Sequence, residues 1–195
     1  ILDWFIYFAA IKNCKIMLKI GDKLPEFNLL GYDNKIHSNY DYADKYALAI
    51  VFTCNSSAIS RAYSNRLIKL FEKYEDDNLA IVGICSNDAA QSPKDSFEEM
   101  KKAAKKLGLD DLHFDFLLDE DQEVAKKFGA TVTPEVFLFN RKRELVYKGA
   151  IDDNWESETG VTHVYLEDAI EAALDGVEVD FPEIKAVGDP IIWKK

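Results

Sequence analysis

The chain has 195 residues, of which 48% are hydrophobic and 30% charged, the balance of a globular domain with a sizeable core. Its net charge of −11 sets it against nucleic acid as a partner, because a phosphate backbone needs clustered Lys and Arg. The one dense basic run, Lys101-Lys102 with Lys105-Lys106, falls in a helical pattern and reads as a solvated helix face.

The chain opens on "ILDWFIYFAAI", which is apolar, too short to span a bilayer and interrupted by Asp3. It has no basic leader and no small-residue cleavage site, so it is a poor signal peptide. Residues 1–16 therefore stand as an apolar leader of open role, and Met17 opens a more conventional domain start. "FNLLGYDNKIHS" reads as two short extended segments around the turn formers Gly31, Asp33 and Asn34. "YALAIVF" is a continuous apolar run ending at Cys54, which suits a strand buried on both faces. From Ser57 to Tyr74 the period becomes helical, with Ile59, Ala62, Tyr63, Leu67, Leu70, Phe71 and Tyr74 on one face.

"LAIVGIC" predicts a second buried strand, ending at Cys85. "SPKDSFEEMKKAAKKLG" predicts a helix capped by Ser92, with Pro93 at its first position, Asp95 in its first turn and Gly108 as its stop. "FDFLLD" is a short strand, and "EDQEVAKKFG" a short helix stopped by Gly129. "EVFLFN" and "LVYKGAI" are strands around the polar turn "RKRE", antiparallel if that turn is tight. Thr162 caps a last helix whose inward residues are Val164, Leu166, Ile170, Ala173 and Leu174. Residues 177–195 show no clear period and are expected to pack on or beside a domain spanning 17–176. The order is β-α-β-α-β-α-β-β-α behind a hairpin. Strands alternating with helices imply parallel neighbours, right-handed crossovers and a three-layer α/β/α arrangement.

Three widely spaced cysteines, Cys14, Cys54 and Cys85, are not a disulfide framework and fit a reducing, cytoplasmic setting. His37, His113 and His163 are scattered, and no Cys/His spacing suits zinc. No glycine-rich phosphate loop is present, so no metal, nucleotide or other cofactor is expected.

Cys54 sits between the carboxyl end of a strand and the start of a helix, at the edge where open α/β sheets form sites. Unpaired N–H groups of the helix start would face the sulfur and favour thiolate, the form that attacks disulfides. That chemistry needs Cys54 at least partly exposed; otherwise it is a buried, inert cysteine. "TVTPEVF" places Thr133-Pro134 at a strand start. A cis bond there would turn the Thr133 backbone outward to pair with an extended substrate, and a trans bond would make it an ordinary strand opening.

Together these features resemble the thioredoxin fold from about Gly21 to Gly176. The opening "GDKLPEFNLLGYDNKIHSNYD" resembles the AhpC/TSA (redoxin) branch, in which a leading β-hairpin precedes a core with a central mixed sheet. "VFTCN", "AYSNRLIKLFEKY", "SNDAAQSPKDSFEEMKKAAKKLGL", "LLDEDQEVAKKFGA", "TPEVFLFN" and "YKGAIDDNW" are similar to a subgroup of thioredoxin-family redoxins. That subgroup typically shows Cys-Asn-His-Cys-Pro where this chain has Cys54, Asn55, Ser56, Ser57 and Ala58. Two further cysteines of the subgroup fall on Val132 and near Asp189. Peroxiredoxins place Thr three residues before their cysteine and Pro seven before; here those are Val51 and Ala47.

The resemblance implies a thiol-disulfide oxidoreductase of antioxidant type acting through Cys54 alone. Ser57 stands at the resolving position, where it could hydrogen-bond the thiolate. The Thr133-Pro134 backbone forms the substrate groove, and Asn55, Arg61 and Cys85 are auxiliary candidates. Substrates would be protein or small-molecule thiols and disulfides, with an external thiol such as glutathione as resolver. The competing expectation is a thioredoxin-fold binding module that has lost redox cycling. Within the residues, Cys85 can approach Cys54 on the same sheet edge or serve as a small buried hydrophobe.

Overall fold

The run Ala47–Phe52 forms strand β3, and every residue in it is fully buried. It lies at the centre of a mixed sheet in the computed structural model, which describes residues 17–112 and 114–195. The apolar leader, Cys14 and His113 lie outside the described residues. The other strands are β1 (Asn28–Gly31), β2 (Ile36–Ser38), β4 (Leu79–Cys85), β5 (Asp115–Leu118), β6 (Val132–Thr133), β7 (Glu135–Phe139), β8 (Leu145–Gly149), β9 (Glu183–Ile184) and β10 (Asp189–Pro190). The helices are α1 (Ala58–Tyr74), α2 (Phe97–Leu107), α3 (Glu123–Phe128) and α4 (Tyr165–Asp175).

The sheet order is β2-β1-β5-β4-β3-β7-β8-β9. β3, β4 and β5 run parallel, β7 and β8 are antiparallel, and the β1–β2 hairpin extends the β5 edge. A second ladder joins β10 to β6.

Period-two alternation along β3 explains why it is apolar throughout. Ala47, Ala49 and Val51 face a core shared with Tyr63, Leu67 and Phe71 of α1, Met100 and Ala104 of α2, and Leu166 and Ile170 of α4. Leu48, Ile50 and Phe52 face the other core, with Val124, Ala125 and Phe128 of α3. The result is the expected three-layer α/β/α arrangement. Phe128 meets Phe52, Phe137 and Phe139 edge-on, with ring centroids 5.3, 5.3 and 6.0 Å away. The Asp119 carboxylate holds the start of α3, accepting from the Val124 and Ala125 amides. In the β7–β8 turn, Asn140 Oδ1 accepts from the Lys142 and Glu144 amides.

Four local expectations are corrected. Ser92 and Pro93 open a short 3-10 turn, Pro93–Asp95, and α2 starts after Ser96. Both serines are good cap residues, so the sequence offers two starts, and Asp95 is drawn away by contacts described below. Thr162 does not cap α4, which begins after Val164; its hydroxyl donates to Asp153 instead. Ala62 is exposed on α1, and Val164 is exposed before α4.

The segment after α4 is held by pairing. β9 runs parallel to β8, with Ile184 so close to Gly149 that no side chain fits there; a Cβ would come within 1.6 Å of the Ile184 carbonyl oxygen. Gly149 also has φ +132°, a region glycine tolerates best.

Candidate active site

Cys54 follows β3 by two residues, and Ser57 is the N-cap of α1. Its sulfur lies 3.2 Å from Thr133 Oγ1 and 3.5 Å from Ser56 Oγ. The Thr133–Pro134 peptide bond is cis. Loops from two sheet positions therefore meet at this sulfur, one leaving β3 and the other leading into β7. Cys54 is only 5% exposed, not the partly open residue expected. Thr133 covers it from β6, and β10 pairs with β6 in turn. The cover is polar where it meets the sulfur.

The residue behind this loop is Asp95, which is fully buried. Its Oδ1 accepts from the Asn55 and Ser56 amides at 2.7 and 2.9 Å. Its Oδ2 accepts from Ser56 Oγ, Ser92 Oγ and Asn87 Nδ2 at 2.6, 2.7 and 2.9 Å. Burial pushes this carboxyl up, and the hydrogen bonds from Ser56, Ser92 and Asn87 outweigh it, holding it below the ordinary aspartate range. Three of the amides around the cysteine are thus committed elsewhere: Asn55 and Ser56 to Asp95, and Ser60 to Ser57 Oγ at 3.1 Å. The sulfur's identified polar neighbours are hydroxyls, where the sequence reading expected helix amides.

Ser57 has a different role from the one expected. Its hydroxyl accepts from Ser60 N and donates to Thr133 O at 3.3 Å, so its hydrogen is directed away from Cys54. A cap is what serine does best at a helix start, and here the cap also ties α1 to β6. Ser56 donates its hydrogen to Asp95 and turns lone pairs toward the thiol. Asn55 adds a bond from Nδ2 to the Lys94 carbonyl, 3.1 Å. Arg61 donates from Nη1 to the Asn55 and Ser56 carbonyls at 2.7 and 2.8 Å, bracing the loop from its outer side.

Cys85 is a free thiol at the end of β4, fully buried. Burial pushes its thiol well up, with the nearby Asp95 charge adding to the effect, so it stays protonated. Val51 and Ala47, at the two peroxiredoxin positions, are interior strand residues. Among the described residues no cluster of three or more His, Cys, Asp and Glu could hold a metal, and no helix is long and apolar enough to cross a membrane.

The expected groove at Thr133–Pro134 is filled. Asp189 and Pro190 pair antiparallel with Thr133 and Val132, and the Ile191 amide donates to Thr131 O at 3.0 Å. On the α1–α2 side a cavity of about 50 Å³ adjoins Cys54, lined by Arg61, Ser64, Leu67, Leu107 and Phe116 among others.

Sequence reasoning missed Asp95, Asn87 and the hydroxyls of Ser56 and Thr133. A signal for the first two existed. Loops leaving adjacent parallel strands emerge on one sheet edge, so the loop after β4 had to face the loop after β3.

A model of the AhpC/TSA family matches residues 20–148. A hypothetical protein from Sinorhizobium meliloti is 31% identical, with TM-score 0.84, over 91% of this chain and 96% of that one. An uncharacterized conserved protein from Geobacillus kaustophilus is 34% identical, also with TM-score 0.84, over 91% of this chain and 94% of that one. The thioredoxin domain of a thiol-disulfide oxidoreductase from Bacteroides vulgatus, 19% identical, superposes with TM-score 0.56 over 67% of this chain and 88% of that one. No curated protein matches. The last likeness carries the fold, which is thioredoxin-like. With a matched family model covering most of the chain and a redoxin hairpin ahead of the core, the chain belongs to the AhpC/TSA family.

Proposed function

We propose that the protein is a thiol-disulfide oxidoreductase that works through the single thiol of Cys54. The observation that carries this reading is the position of its sulfur. It lies at the carboxyl end of β3, 3.2 Å from the hydroxyl of Thr133, the residue before the cis Pro134. The Cys54 thiolate attacks one sulfur of a substrate disulfide. The substrate S–S bond breaks, a mixed disulfide forms on Cys54, and the other substrate half leaves as thiolate. An external thiol, with glutathione the class expected, attacks the substrate sulfur of the adduct and releases Cys54 as thiolate. Ser57 takes no part in resolution because a hydroxyl is not a competent leaving or attacking group here, and its own contacts hold the helix cap. Thr133 Oγ1 can donate to the thiolate, which a charged acceptor favours.

A second reading is supported by one observation. Cys54 is 5% exposed and the strand edge beside it is already paired, as in a module that binds without turnover. The two are separated by glutathione-dependent reduction of a small mixed disulfide. Turnover in the native protein that vanishes in Cys54→Ser supports the first reading. Turnover that is absent, or equal in the two proteins, leaves the binding module.

A further inference from the structure

Residues 188–191 occupy the backbone edge that an extended polypeptide would need to reach Cys54. We propose that this segment is a specificity element: it keeps extended protein disulfides from Cys54 and leaves the thiol to small disulfides. The proposal rests on the single-thiol reading above.

A peptide delivering a disulfide along β6 must pair with Val132 and Thr133. Their partners are already Pro190 and Asp189. Gly188 fits so tightly that a Cβ there would lie 2.6 Å from the Thr133 carbonyl oxygen and 3.1 Å from Pro134 N. No strand can be added without lifting this segment away.

The anchors continue past the ladder. Ile191 is 4% exposed and packs into the core shared with α3. The Ile192 amide donates to Asn87 Oδ1 at 2.8 Å, and its carbonyl accepts from the Asp88 amide and Gln122 Nε2 at 2.8 and 2.9 Å. The same Asn87 donates to Asp95, so the segment and the Cys54 loop share one network. Thr133 links them a second time. Its hydroxyl donates to the Asp189 carbonyl at 3.4 Å and also meets Cys54 Sγ at 3.2 Å, a contact in which either atom can donate.

The other side of Cys54 is free of this segment. The cavity between α1 and α2 is lined by residues 53–116 alone. At about 50 Å³ the cavity is far smaller than glutathione disulfide, but on this side a small disulfide needs no strand pairing to approach, whereas a chain in extended conformation has only the filled edge. With glutathione disulfide, the Cys54 thiolate bonds one sulfur, the S–S bond breaks and one glutathione leaves as thiolate. Cys54 is thereby oxidised to the mixed disulfide and the departing half reduced.

The test compares wild type with Gly188→Val, which presses the segment off β6, and Ile191→Asp, which withdraws its buried anchor. Cys54 adduct formation with glutathione disulfide and with insulin is followed by mass spectrometry. Hydrogen exchange at the residue 191 amide reports release, a thermal melt reports folding, and the rates are read on whichever variant is folded and released. The expected result is a rise of about tenfold or more with insulin and a change below about threefold with glutathione disulfide, as when a competent state becomes populated. An equal rise with both probes, or no gain with insulin once the amide is released, overturns the specificity claim alone. A Cys54 that reacts with neither probe in any of the proteins removes the single-thiol reading, and this inference with it.

Discussion

Asp95 never approaches Cys54 closely enough to bond it, yet it fixes the two residues that follow it. One carboxylate oxygen takes both loop amides, and the other takes three side-chain donors. Replacing it by Asn keeps the shape but removes acceptor capacity, leaving buried donors in search of partners. Asp95→Asn is expected to cost about 1–3 kcal/mol in denaturant unfolding. It is also expected to slow Cys54 modification by roughly tenfold, because the sulfur's loop loses its fixed geometry. The pH dependence has a defined sign. The folded-state carboxyl is held below its unfolded value, so its stabilisation is present above about pH 4, the ordinary aspartate value, and is lost as pH falls through the folded value. Acid titration of stability should therefore be shallower in Asp95→Asn than in wild type. At this scale the sequence pointed to Cys54 and Thr133–Pro134 as candidates, because a strand-ending cysteine and a strand-opening proline are local patterns, and the structure brings them together. It did not reveal Asp95, whose meaning depends on a loop 40 residues away.

The elements repeat the same lesson. β3 was legible because burial on both faces leaves an uninterrupted apolar run, and α1 because its buried residues recur at helical spacing. The start of α2 was misplaced, since Ser92-Pro93 and Ser96 each look like a cap and only the pull of Asp95 into the site separates them. β9 and β10 have two residues each and no period of their own; they exist because β8 and β6 offer edges. The short helix α3 illustrates an element held by packing. Six residues cannot sustain a helix alone. Phe128 supplies its hold, fully buried among Phe52, Phe137 and Phe139. Phe128→Ala is expected to cost about 3–5 kcal/mol, read as a lower thermal midpoint by circular dichroism.

On the scale of the whole molecule, two thiols in different surroundings lie at neighbouring strand ends. Cys85 is sealed in the core and kept protonated by burial. Cys54 is almost as buried by area, but its sulfur faces hydroxyls and the residue lines a cavity. The fold class and the order of its elements were readable in advance, because alternating strands and helices admit few topologies. The covering of Cys54 was not, because it comes from residues about 80 and 135 positions further along, on β6 and β10. What distinguishes a working thiol from a buried one is therefore chemical access, and that is directly measurable. Native protein is incubated with glutathione disulfide and digested under thiol-blocking conditions, and the adduct is mapped by mass spectrometry. The account predicts one glutathione on Cys54, none on Cys85, and its removal by excess reduced glutathione. A Cys54 that remains unmodified in the folded protein while reacting after denaturation would contradict it.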